Sequence, residues 1–177
     1  MFTLKIDDEL ELALVQPSFA PRYVELAREN YDHLARWLSW PPHVRSEDDF
    51  LAFIKGCLHD HADGKRLVCG VIYRGELVGN AAYVNINPGL KKLEIGYWLA
   101  ASHQGLGIMT RVCRALIDHA FNRLGMEKVE ARAATGNGAS RALLERLGMN
   151  LEGILTRAEI INGQVLDHAH YGLQRPA

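Results

Sequence analysis

The sequence predicts a mixed α/β sheet, mostly antiparallel, with helices on both faces. Three observations carry that expectation. A strand at residues 93–99 runs into a glycine turn, a helix and a further strand, so the crossover is right-handed and the two strands are parallel. Three consecutive strands between Leu67 and Leu99 are separated only by short turns, as in an antiparallel meander. The chain ends on a hairpin around Asn162-Gly163, a dipeptide that adopts the tight turn joining twisted strands.

Residues 10–15 alternate enough to form a first strand. Pro17 and Pro21 break it, and Pro21 suits the first turn of a helix whose face carries Tyr23, Leu26 and Ala27. A second helical stretch, residues 31–38, runs into Trp37-Leu38-Ser39-Trp40-Pro41-Pro42. Ser46 followed by Glu47, Asp48 and Asp49 marks a helix start, with Phe50, Phe53, Ile54, Cys57 and Leu58 as its apolar stripe. Strands follow at residues 67–73, 76–84 and 92–99, turning at Arg74-Gly75 and Asn87-Pro88-Gly89. The next helix ends near Leu124 before Gly125, and Met109, Val112, Leu116 and Ala120 mark its buried face. Residues 129–133 alternate as a strand. A helix then starts at Asn137 and stops at Gly148, ahead of the hairpin with arms 154–161 and 164–173. That makes seven strands.

The chain has 177 residues and reads as a single domain, 1–177. Twenty basic and 21 acidic residues leave a net charge of −1, which argues against bulk nucleic-acid or membrane binding. No apolar run approaches the roughly 18 residues of a membrane span. Residues 1–9 turn acidic too early for a signal peptide. Cys57, Cys69 and Cys113 are odd in number and widely spaced, which suits apolar fillers in a reducing compartment; a cytoplasmic location is expected.

The turn after residue 99 holds Gln104, Gly105, Leu106, Gly107, Ile108, Met109 and Thr110. Glycines let a ligand approach the backbone, and the free N–H groups of a helix start point at an anion. A dinucleotide fingerprint would need glycine where Thr110 stands, and a P-loop would need Gly-Lys-Ser/Thr. An ordinary tight turn is the competing reading.

Gln104-Gly-Leu-Gly-Ile-Met109 resembles the pyrophosphate loop of the GNAT acyltransferases, Gln/Arg-x-x-Gly-x-Gly/Ala, with Met109 at its small-residue position. Asn137-Gly-Ala-Ser140, Ile95-Gly96-Tyr97-Trp98-Leu99, Trp37-Leu38-Ser39-Trp40-Pro41 and Ala158-Glu159 extend the likeness over nearly the whole chain, to the RimL-type branch, the ribosomal-protein-serine N-acetyltransferases. The resemblance implies a splay between the strands around residues 93–99 and 129–133, with the pantetheine arm of acetyl-CoA in the gap. It implies that the amides of residues 104–110, with Trp98, Leu99, Asn137 and Ser140, bind the cosubstrate, and that the enzyme is a homodimer. No metal is expected. Arg111 and Arg114 could meet a nucleotide phosphate, though solvated face charges are the preferred reading.

Acetyl transfer to an amine needs a base for the amine, stabilisation of the thioester oxygen, and a proton for the departing thiolate. The resemblance makes Ser140 the general acid; a helix-capping hydroxyl is the alternative, although Asn137 already supplies a cap. Glu159 is the first choice as base and Glu94 its rival. Alternation puts Glu94, Gly96 and Trp98 on one face of their strand and Ile95, Tyr97 and Leu99 on the other. Trp37, Trp40 and Tyr97 are expected to line the acceptor side, with packing against the core as the competing role of the tryptophans. His168 and His170 show no metal spacing and are only weak candidates for proton handling. The implied acceptor is a primary amine: the α-amino group of a protein N-terminus, of ribosomal-protein-serine type, or alternatively a small molecule such as an amino acid, aminoacyl nucleotide, polyamine or antibiotic. A non-catalytic acyl-CoA-binding module would lack Ser140 and Glu159, and a plain structural protein would not bind coenzyme A.

Overall fold

The computed structural model describes residues 3–176; Met1, Phe2 and Ala177, and the part of the leader argument that falls on them, lie outside the described residues. Among the described residues, eight strands form one sheet: β1 (Thr3–Lys5), β2 (Leu10–Leu14), β3 (Leu67–Tyr73), β4 (Glu76–Asn87), β5 (Lys92–Leu99), β6 (Lys128–Ala134), β7 (Asn150–Ile161) and β8 (Gln164–Gln174), in the order β1-β2-β3-β4-β5-β6-β8-β7. The helices are α1 (Ala20–Glu29), α2 (Tyr31–Ala35), α3 (Glu47–Ala62), α4 (Ile108–Asn122) and α5 (Gly138–Arg146). The sheet is antiparallel except for the β5–β6 pair. It has one strand more than the seven expected. β1 is only three residues long, too short for a period-two pattern, and is defined by its pairing with β2.

Two cores flank the sheet. Ile108, Val112, Cys113, Leu116 and Ala120 of α4, with Leu143 and Leu144 of α5, pack against Ile95, Leu99, Val129, Ala131 and Tyr171 on one face. Tyr23 and Leu26 of α1, with Phe50, Ile54 and Cys57 of α3, cover Val68, Leu77 and Ala82 on the other. Alternation along β5 decides which residue joins which core. Ser46 caps α3 through a reciprocal bond with Asp49, as the acidic first turn suggests. Asn162 and Gly163 both have positive φ, the geometry of the tight hairpin turn that Asn-Gly favours.

Three boundaries differ by three residues or more from the sequence reading. α2 ends at Ala35 rather than residue 38, because Leu34 O takes both the Trp37 and Leu38 amides in a tightened turn. β4 runs on to Asn87 through a bulge at Val84, and β7 begins at Asn150 and bulges between Leu155 and Glu159. Bulges interrupt the alternation on which strand ends are judged. The three cysteines are free and buried. Burial pushes the Cys69 thiol up to about 12, and all three act as small apolar residues. Among the described residues, no helix is long and apolar enough to cross a membrane.

Candidate active site

The parallel pairing of β5 and β6 runs from Lys92↔Lys128 to Ile95↔Ala131 and stops there. Beyond that point each strand follows its outer neighbour. Residues 96–99 stay with β4, and residues 132–134 stay with β8. The strands therefore open into a V, and their facing backbone edges are left without a strand partner.

The glycine turn stands just beyond the end of β5. Gly105 and Gly107 have φ of 76° and 70°, which L side chains adopt only at a cost. Gly107 is the N-cap of α4 and supplies no side-chain cap. Among the described residues, the amides of residues 105–110 donate no hydrogen bond within the protein. Gln104, Gly105, Leu106 and Gly107 are exposed, whereas the Ile108 and Met109 side chains turn into the core and Thr110 is half-buried. A large residue at position 109 therefore does not crowd the amides. The turn is held from behind: Asn30 accepts from the Ala101 amide at 2.8 Å, and Gln104 Nε2 lies 3.1 Å from His33 Nε2. Arg111 is committed to Asp7 at 2.7 Å, and Arg114 is exposed on the same helix.

On the α4–α5 side of the V, Tyr97 Oη meets Ser140 Oγ at 2.9 Å. Asn137 caps α5 by accepting from the Ser140 amide at 3.2 Å. The Ser140 hydroxyl is thus free of capping work. The structure does not bring Tyr97 to the tryptophans, because alternation puts it on the opposite face of the sheet. Trp98 is half-buried and tilted against Trp40, with ring centres 5.8 Å apart; Trp40 also meets Phe50 edge-on. Trp40 and Trp98 are thus part of the α1–α3 core, and the Leu99 side chain is buried in the other one. Trp37 behaves differently. With Arg36, Thr135, Asn162, Gln164 and Leu166 it lines a cleft of about 500 Å³, and Asn162 Nδ2 in that lining bonds Ala35 O.

The other face of the V carries the carboxylates. Glu94 is buried and held by both arms of Arg132, at 2.8 and 2.9 Å. Glu159 follows the β7 bulge and stands opposite Leu166, a residue of the Trp37 cleft. Its carboxylate is about one-third exposed and lies 3.4 Å from His168 Nε2. Of the two carboxylates, Glu159 is the one that solvent or an amine can reach. Arg132 and His168 as neighbours of the carboxylates were not legible from spacing, since both contacts depend on register across β5, β6, β8 and β7. Glu130, Glu152 and His170 also converge, but Lys92 and Lys128 bond the Glu130 carboxylate and hold it below the usual carboxylate range against its own burial. That cluster is an ion-pair network.

A V between parallel strands, a row of open amides at a helix start, a hydroxyl on one side and an accessible carboxylate on the other form an arrangement whose chemistry suits acyl transfer from a phosphate-bearing thioester. Residues 9–150 match the acetyltransferase (GNAT) domain family, and the chain belongs to that family. It is an acetyl-CoA-dependent N-acetyltransferase. The chain is 35% identical over 174 residues to the putative ribosomal N-acetyltransferase YdaF of Bacillus subtilis, covering 98% of this chain and 95% of the relative. It is 32% identical to the ribosomal-protein-serine acetyltransferase of Escherichia coli, covering 90% and 89%. Among solved structures, RimL in complex with coenzyme A superposes with a TM-score of 0.94 at 29% identity, over 98% of each chain. A microcin self-immunity acetyltransferase in complex with acetyl-CoA and AMP superposes with a TM-score of 0.93, also at 29% identity, over 97% of this chain and 96% of that one.

Proposed function

We propose that the chain, acting as one acetyltransferase domain over residues 1–177, acetylates the α-amino group of a protein N-terminus of the ribosomal-protein-serine kind. The observation that carries this reading is the unbonded amide row at residues 105–110 at the mouth of the V. The amides take the pyrophosphate, and the unpaired edges of β5 and β6 take the pantetheine arm. The thioester then lies between Ser140 and Glu159. Glu159 accepts the ammonium proton, directly or through a water. The amine nitrogen attacks the thioester carbonyl carbon, the C–S bond breaks with its electron pair going to sulfur, Ser140 protonates the sulfur, and the nitrogen sheds its second proton to water to become the neutral amide. Glu94, paired with Arg132, holds the apex of the V and is the weaker choice for the base. The Trp37 cleft takes the residues that follow the acceptor amine.

The acceptor class leans on the relatives that are named for ribosomal proteins. A panel of peptides with N-terminal serine, free amino acids and polyamines, read by thiol release from acetyl-CoA and by product mass, tests it. Peptides are expected to be acetylated at least tenfold faster than the small amines at equal concentration, an advantage of about 1.4 kcal/mol or more. Small amines matching the peptides would overturn the peptide assignment.

The enzyme works in the cytoplasm as a homodimer, on this reading. β7 is a twelve-residue edge strand, and Leu151, Ile154, Leu155 and Ile160 on it are exposed. Long apolar edges of this kind are normally covered. Light scattering should report a dimer, and Ile154→Glu with Ile160→Glu should shift it to monomer without unfolding. A wild-type monomer would rule the dimer out.

A further inference from the structure

We propose that Tyr97 is a positioning residue for the proton donor: its hydroxyl holds Ser140 Oγ so that the Ser140 proton faces the departing sulfur. The inference rests on the reading of Ser140 as the acid, and extends it to a residue on the opposite wall of the site.

Tyr97 lies two residues past the last parallel pair, on the β5 wall of the V. Ser140 is in the first turn of α5, just after the β6 wall. The 2.9 Å contact between their hydroxyls therefore spans the opening. A lone serine hydroxyl rotates freely and is a weak acid. Here its amide is fixed by Asn137 and, among the described residues, the Tyr97 hydroxyl is the one hydrogen-bond neighbour of its oxygen. Burial pushes the Tyr97 phenol well above its usual range, more than the Ser140 bond lowers it. Tyr97 thus keeps its proton; either hydroxyl could donate in this contact, and in the proposed arrangement the phenol, a stronger acid than an aliphatic alcohol, is the hydrogen-bond donor to Ser140 Oγ, which leaves the Ser140 proton for another acceptor.

The balance of the step follows. As the C–S bond breaks, its electron pair goes to sulfur. Sulfur takes the Ser140 hydroxyl proton, and charge develops on Ser140 Oγ. The Tyr97 O–H stabilises that charge without transferring its own proton. Ser140 recovers a proton from water after coenzyme A leaves. A hydrogen bond to a charged oxygen is roughly twice as strong as a neutral one, so the contact gains strength only as the transition state forms.

A double-mutant cycle tests this, with kcat and KM for acetyl-CoA measured on wild type, Tyr97→Phe, Ser140→Ala and the double variant. Tyr97→Phe keeps the ring and its packing. It is expected to lower kcat by about tenfold, the scale of one hydrogen bond to a charged group, with KM for acetyl-CoA unchanged. In the Ser140→Ala background the same change should cost nothing further. An equal loss in both backgrounds would mean that Tyr97 acts independently of Ser140, and an unchanged kcat would mean that it does not act at all. Either result overturns the inference and leaves Ser140 as the acid. A Ser140→Ala variant with wild-type kcat would instead remove the reading of Ser140 beneath it.

Discussion

Glu159→Gln is expected to lower kcat by roughly 100-fold or more, the usual size of a general-base contribution, and to leave acetyl-CoA affinity within about twofold. The two halves of this expectation have separate physical causes. Glutamine keeps the volume and one oxygen of the carboxylate but cannot take a proton from an ammonium group. The group lies on β7, across the V from the amide row at residues 105–110, so the cosubstrate does not lose a ligand. Glu94→Gln is the matched control. Glu94 is buried and both of its oxygens already accept from Arg132, so an incoming amine has little access to its remaining lone pairs. Its replacement is expected to cost less than tenfold in kcat, through loosening of the apex of the V, because the effect is indirect and of the size of one weakened hydrogen bond. Stopped-flow or coupled thiol assays with single-turnover controls separate chemistry from binding. If Glu159→Gln is silent and Glu94→Gln abolishes turnover, the base is Glu94, and Arg132 must release it when the acceptor arrives.

The sequence carried much of this architecture, and the places where it failed have a common cause. The crossover, the meander and the Asn162-Gly163 hairpin are local signals, and the strand–turn–helix around Gly105 and Gly107 needs no tertiary information. The face assignment along β5 followed from alternation, which correctly separated Glu94 and Trp98 from Tyr97 and Leu99. What alternation could not give was depth. Trp40 and Trp37 are three residues apart in one motif, yet one is packed among Phe50 and Trp98 and the other borders a cleft. A short turn after α2 redirects the chain between them, and that turn is set by bonds to Leu34 O. Likewise, Glu94 and Glu159 were indistinguishable as isolated carboxylates. Their difference lies in Arg132, 38 residues from Glu94, and in the β7 bulge. Cross-strand partners on distant strands depend on register, and a bulge changes register by an amount that local composition does not report.

Gly107→Val is expected to weaken acetyl-CoA binding by about 100-fold, or about 2.7 kcal/mol, the loss of one or two hydrogen bonds to a charged group. Two effects combine at this residue. Its φ of 70° is left-handed, and a β-branched residue there strains the turn by roughly 1–2 kcal/mol. A side chain built on it meets nothing within 4 Å of the protein, so it projects into open space over the loop, where the pyrophosphate is proposed to lie. Strain and occlusion can be told apart with a second glycine. Gly125, beyond the other end of α4, has φ of 67° and equally open surroundings. Gly125→Val should therefore impose a similar backbone cost and lower Tm to a comparable extent, with acetyl-CoA Kd unchanged by titration calorimetry. A Kd that moves equally in both variants would mean that binding follows fold stability rather than the loop. A Kd that moves in neither would place the diphosphate away from residues 105–110, and the amides there would have to be satisfied by water alone.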